Sequence, residues 1–120
     1  MVREIKFFVS EQGRNPVEEF LDSLSPRQAQ KVTWVMRLVE DLKVVPRKFF
    51  KKMTGTDDIW EIRIEFESNI FRVLGFFDGP ALFIAAHVFQ KKSQRIPEQE
   101  VLTADNRKKE YFRRKRNEQS

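Results

Sequence analysis

The segment from Trp60 to Phe89 constrains the fold more than any other part of this chain. It holds three strand-length runs separated by two turn signals. Trp60, Ile62, Ile64 and Phe66 alternate with Glu61, Arg63, Glu65 and Glu67, a period of two that marks a strand with one buried face. Ser68-Asn69 suits a hairpin turn. Ile70 to Phe77 is apolar on both faces apart from Arg72, as expected of a central strand covered on both sides. Asp78-Gly79-Pro80 makes the next turn. Ala81 to Phe89 is the third run, with Phe83, His87 and Phe89 assigned to one face and Leu82, Ile84 and Val88 to the other. Short turns join strands antiparallel, so the segment reads as a three-stranded meander.

The flanking sequence supplies helices. Val2 to Val9 is rich in β-formers and reads as a strand ended by Gly13. Asn15-Pro16 then opens a short helix, with Asn15 as N-cap, Pro16 at the first position and Glu18 three beyond the cap. Ser25-Pro26 with Gln28 repeats that logic for a longer helix striped by Ala29, Val32, Val35, Met36, Val39 and Leu42, which ends before Pro46. Pro46 to Asp58 reads as a basic, turn-rich connection. Pro97, with Glu98 and Glu100 in the first turn, starts a last helix striped by Val101, Ala104, Lys108 and Tyr111. The order β-α-α-β-β-β-α predicts one α+β domain over residues 1–120: an N-terminal strand and a two-helix hairpin, a meander completing a four-stranded sheet, a C-terminal helix, and a basic tail over 107–120.

Composition narrows the chemistry. There are 120 residues and no cysteine, which removes disulfide frameworks and thiolate sites. No run is long and apolar enough to cross a bilayer, and the first sixteen residues lack a long apolar centre. A cytoplasmic protein with no membrane contact is the expectation. The formal net charge is +5, and its placement is uneven. Residues 46–53 carry four cations and no acid, residues 91–96 add three cations, and Arg107 to Arg116 holds seven cations against one glutamate. Clustered positive charge attracts polyanions by counterion release, which points to nucleic acid.

Arg72 is the sharpest single signal. A guanidinium in a strand of Ile, Phe, Val, Leu and Gly is costly unless paired. Two readings stay open: a salt bridge to Glu61 or Glu65 on the neighbouring strand, or a fixed fork for a phosphate. Arg63 alternates with glutamates and has the same two readings. Lys51 and Lys52 precede the meander and Lys91 and Lys92 close it, so four cations are expected to converge on one sheet edge, with Arg95 beside them. Phe89 adjoins that basic end and is the aromatic placed to stack on a base. His87 is the only histidine; it is a candidate general base or an ordinary strand histidine. A single histidine and no convincing carboxylate spacing predict no metal and no cofactor.

The stretch KKMTGTDDIWEIRIEFESNIFRVLGFFDG, followed by FQKKSQRIP, resembles the phage-related branch of the RelE/HigB toxins of type II toxin–antitoxin systems, and the likeness extends over nearly the whole chain. It implies a compact RelE-like fold and a metal-independent, ribosome-dependent mRNA endonuclease, in which the RNA's own 2′-hydroxyl attacks the adjacent phosphate. Carried over by position, Arg63 falls where relatives place a catalytic lysine, Arg72 matches the arginine of the next strand, and Lys91 and Lys92 match the basic pair after the last strand. Tyr111 resembles the C-terminal tyrosine of some relatives, at a longer spacing. Glu61 departs from the family by standing where some relatives have a lysine. With His87, these residues form the expected catalytic set of Arg63, Arg72, Lys91 and Lys92, and Lys51, Lys52, Phe89, Arg95 and Tyr111 the expected RNA contacts. The implied partners are a HigA-like helix-turn-helix antitoxin, mRNA on the ribosome and ribosomal RNA. The alternatives are a gyrase inhibitor of the ParE kind and a member that binds RNA or antitoxin without cutting.

Overall fold

A computed structural model describes residues 1–90 and 95–119. Its elements are β1 (Glu4–Phe7), α1 (Pro16–Asp22), α2 (Pro26–Asp41), β2 (Phe50–Lys52), β3 (Trp60–Phe66), β4 (Asn69–Asp78), β5 (Leu82–Gln90) and α3 (Glu98–Gln119). The caps act as the sequence predicts. Asn15 accepts from the Glu18 amide, and Ser25 and Gln28 exchange side-chain and backbone bonds in a capping box, which satisfies amides that have no partner within the helix.

The five described strands form one sheet in the order β1-β5-β4-β3-β2. β1 lies parallel to β5, and the remaining pairs are antiparallel. The predicted four-stranded sheet thus gains β2, in the stretch expected to be a loop. Phe50 aligns with Ile62 and Lys51 with Glu61, so three residues with little strand signal of their own are drawn into the ladder by an edge that would otherwise be unpaired.

One face of the sheet packs on α1 and α2. Val17, Val32, Val35, Met36 and Val39 meet Phe50, Ile62, Ile64, Phe71, Val73, Phe83, Ala85 and Val88 there. The opposite face carries α3, which lies on β4 and β5. Phe76, Ile84 and Ala86 pack against Tyr111 and Phe112, while Leu74, Phe89 and Ile59 pack against Ala104 and Val101. A register shift at Leu74/Gly75, where Leu74 aligns with His87 but Gly75 with Ala85, skips Ala86. This bulge overturns the expected faces of β5. Phe83 and Val88 share the α1/α2 face, whereas Ile84, Ala86 and Phe89 lie on the α3 face, because an extra residue in one strand inverts the alternation beyond it.

The basic tail is helical. α3 runs to Gln119, and its last turns are tied back to the domain: Arg113 to Glu11 at 2.5 Å, Arg114 to the Val9 carbonyl at 2.6 Å and Lys115 to Asp78 at 2.7 Å. No helix among the described residues is long and apolar enough to cross a membrane.

Candidate functional site

The site is built on the α3 side of the sheet, where β2, β3 and β4 run alongside one another. Strand alternation puts Glu61, Arg63 and Glu65 on the face opposite Ile62 and Ile64. The turn between β3 and β4 then decides what each one opposes. Phe66 aligns with Asn69, so Glu67 and Ser68 are the turn residues, and Glu67 takes a left-handed φ of 56°. The predicted Ser68-Asn69 turn lies one residue later. The observed register sets Arg63 directly against Arg72, with Phe89 next in the same row across β5.

The two arginines have different surroundings. Arg72 is 2% exposed and Glu61 is 1% exposed. Arg72 Nη1 donates to Glu61 Oε2. Glu61 is therefore the carboxylate that pairs with Arg72, one of the two partners the sequence offers. Its other oxygen faces Lys51 Nζ at 4.0 Å. Arg63 keeps 22% of its side chain exposed and reaches the exposed Glu65 at 3.0 Å. Its Nε–H is buried and has no hydrogen-bond acceptor among the described residues. The arrangement presents one part-exposed guanidinium, flanked by a lysine and backed by a buried ion pair. Such a fork suits a phosphodiester.

The other expected residues divide around this cluster. Lys51 opposes Glu61 and shares its face, whereas Lys52 opposes Trp60, on the α1/α2 side, and pairs with Asp58 at 2.7 Å. The lysine pair therefore does not act as one patch, because neighbours on a strand point to opposite faces. Lys91 and Lys92 lie outside the described residues, and Arg95 stands exposed in the bend that follows them. Phe89 is buried under α3 and stacks on His87 with ring centroids 5.5 Å apart. It is a core contact, not an open stacking platform.

His87 has a different task from the one expected of it. Its Nε2 lies 2.8 Å from a Glu100 carboxylate oxygen, and Arg107 approaches its Nδ1 at 3.2 Å while donating to the Ala86 carbonyl at 2.8 Å. Arg107 has only protons to offer, so Nδ1 accepts and Nε2–H donates, which describes a neutral ring. Burial holds its pKa below the usual histidine value, with Glu100 opposing that shift. His87 thus fastens α3 to β5, and both nitrogens are occupied. Tyr111 is also placed elsewhere. Its hydroxyl donates to Asp78 at 2.6 Å, and Asp78 lies six residues from Arg72 along β4, roughly 20 Å at strand rise. Burial and then Asp78 push the Tyr111 pKa up to about 12. Lys115 and then Tyr111 hold the Asp78 carboxyl below its usual range. Nothing in the sequence spacing signals the His87–Glu100–Arg107 and Tyr111–Asp78–Lys115 clusters, because both depend on how α3 is laid across the sheet.

Similarities to known proteins bear on the family and the fold. The family described as "Phage derived protein Gp49-like (DUF891)" matches residues 19–109, about three quarters of the chain. Among solved structures, the chain is similar to the archaeal RelE-RelB complex from Pyrococcus horikoshii OT3, with a TM-score of 0.50 and 20% sequence identity over 79% of this chain and 100% of that one. At that identity the likeness is one of fold, and the fold here is RelE-like. No curated protein matches.

Proposed function

The chain belongs to the Gp49-like family of phage-derived proteins, and from that premise we propose that it is the toxin of a toxin–antitoxin pair that cleaves translated mRNA without a metal. The observation that carries this reading is the register of Arg63 against Arg72 on the α3 side of a RelE-like sheet, with Lys51 beside them. Cations fixed in advance around a phosphate stabilise the charge that develops as it becomes five-coordinate. In this reading the 2′-oxygen bonds to phosphorus and the 5′-oxygen leaves, giving a cyclic phosphate and a 5′-hydroxyl. Glu65, exposed and 3.0 Å from Arg63, takes the hydroxyl proton, and solvent returns one to the leaving oxygen. In this reading Arg95 is a further RNA contact, and the basic outer side of α3 rests on ribosomal RNA.

The RelE-like protein from the archaeon is solved as a complex with RelB. That supports a protein partner here too, which we take to be a HigA-like helix-turn-helix antitoxin. The test is to express the chain from a tight promoter and map 5′ ends on a translated reporter mRNA, beside an untranslated copy and Arg63→Ala. Cuts that require both translation and Arg63 are the expected result. Growth arrest without cuts would move the target to gyrase, and neither cuts nor arrest would make the chain a binding protein.

A further inference from the structure

Two guanidiniums directly opposite on neighbouring strands repel each other, since such pairs hold their Cβ atoms about 4.5–5.5 Å apart. This chain keeps both. The compensating charge is Glu61, on the same strand and face as Arg63 but bonded to Arg72. The two partners are buried together, and Lys51 stands 4.0 Å from the remaining carboxylate oxygen. For Arg72 to turn onto a phosphate, it would have to leave the buried Glu61 charge with only the more distant, part-exposed Lys51 to answer it among the described residues, which is unfavourable. Arg63 meets no such obstacle. Its partner Glu65 is exposed and free to swing into water, and 22% of its own side chain is exposed against 2% for Arg72.

We infer that Glu61 assigns the two arginines different tasks: it locks Arg72 into the sheet and leaves Arg63 as the guanidinium that meets the scissile phosphate. Glu61 is then a positioning residue that acts through Arg72 and Lys51. Arg72 contributes its charge to the field at the phosphate without grasping it. A cation at position 61 would join Lys51, Arg63 and Arg72 as four adjacent cations with no buried anion between them, so the glutamate specifies which one is offered. This inference rests on reading the arginine face as an RNA-cleaving site.

The informative variant is Glu61→Gln, which keeps the shape and an acceptor oxygen for Arg72 but removes the charge. Two readouts separate positioning from scaffold: cleavage of the translated reporter, and fluorescence-anisotropy binding of a 2′-O-methyl 12-nucleotide RNA, which lacks the attacking hydroxyl, to the isolated chain. Glu61→Gln is expected to bind the oligonucleotide several-fold more tightly, with a steeper salt dependence, and to cleave at least tenfold more slowly. Arg63→Lys is expected to weaken oligonucleotide binding more than Arg72→Lys does. A Glu61→Gln protein that melts earlier but binds and cleaves like the parent would overturn the inference, as would the reverse order of the two arginine variants. If the parent binds the oligonucleotide through Arg63 and never cuts, the endonuclease reading fails while the division of tasks stands. If the parent cuts with equal dependence on both arginines, the reverse holds.

Discussion

Gly75→Ala should destabilise the protein even though alanine is the better strand residue. Gly75 sits in the central strand β4 at the register shift, aligned with Trp60 on one side and Ala85 on the other. A Cβ built there falls 2.2 Å from the Ile84 carbonyl oxygen and 2.7 Å from Phe83 Cζ. The phenyl ring cannot turn away freely, because it is fully buried and packs edge-on against Phe50 and Phe77 at centroid distances of 5.4 and 5.2 Å. The carbonyl belongs to the backbone of β5, so relief requires separating two strands at the middle of the sheet. Overpacking costs about 1–3 kcal/mol, and a weakened ladder bond adds about 1 kcal/mol. Replacing glycine returns only about 0.5–1 kcal/mol of propensity. The net loss is about 2 kcal/mol, which lowers Tm by about 8 °C at roughly 4 °C per kcal/mol for a domain of this size. Thermal and urea unfolding followed by circular dichroism measure it directly. A Gly75→Ala protein with an unchanged or higher Tm would refute the close approach of β4 and β5 at the bulge.

Two further outcomes follow from the clusters that hold α3. The pKa of His87 is lowered by burial, so near pH 6.5 and below the unfolded chain binds more protons than the folded one. Its contribution is complete above pH 6.5 and is lost as the pH falls towards the folded value; urea midpoints from pH 7.5 to 5.5 should show a decline that His87→Gln flattens. Tyr111 is the single tyrosine, so its ionisation is read cleanly from ultraviolet absorbance. A midpoint near 12 is expected, moving down in Asp78→Asn, and a parent midpoint near 10 would show that the hydroxyl is not bonded to Asp78.

How much was legible depended on the range of the interactions involved. The starts of α1 and α2 were readable, because Asn15 with Glu18 and Ser25 with Gln28 complete their bonds within four residues. The two faces of β3 were readable from alternation alone. Three features were not. β2 is a strand only because β3 lies beside it. The inverted faces of β5 come from a bulge that no local signal marks, since Ala86 resembles its neighbour Ala85. The opposition of Arg63 and Arg72 turns on a single residue of hairpin register. With Ser68 and Asn69 as the turn, Arg63 would have met Leu74 and Arg72 would have met Glu65.

That last slip bears on function. Had Glu65 opposed Arg72, the natural ion pair would have been at the exposed end of β3, with Glu61 left inside the sheet. The observed register buries the Arg72–Glu61 pair and sends Glu65 outward to Arg63. Along the α3 face, Asp78 answers Tyr111 and Lys115, Glu100 and Arg107 answer His87, and Glu61 answers Arg72. A buried polar group is costly unless it finds a partner, and these groups find theirs in one another, which makes them fastenings of the fold. Arg63 departs from the pattern. It lies in the same row as Arg72, yet 22% of its side chain is exposed and the carboxylate it reaches, Glu65, stands in solvent. A part-exposed guanidinium beside a face of buried pairs is what a ligand's oxygens can reach, and it is why the candidate site centres on Arg63 and not on the arginine that stood out most in the sequence.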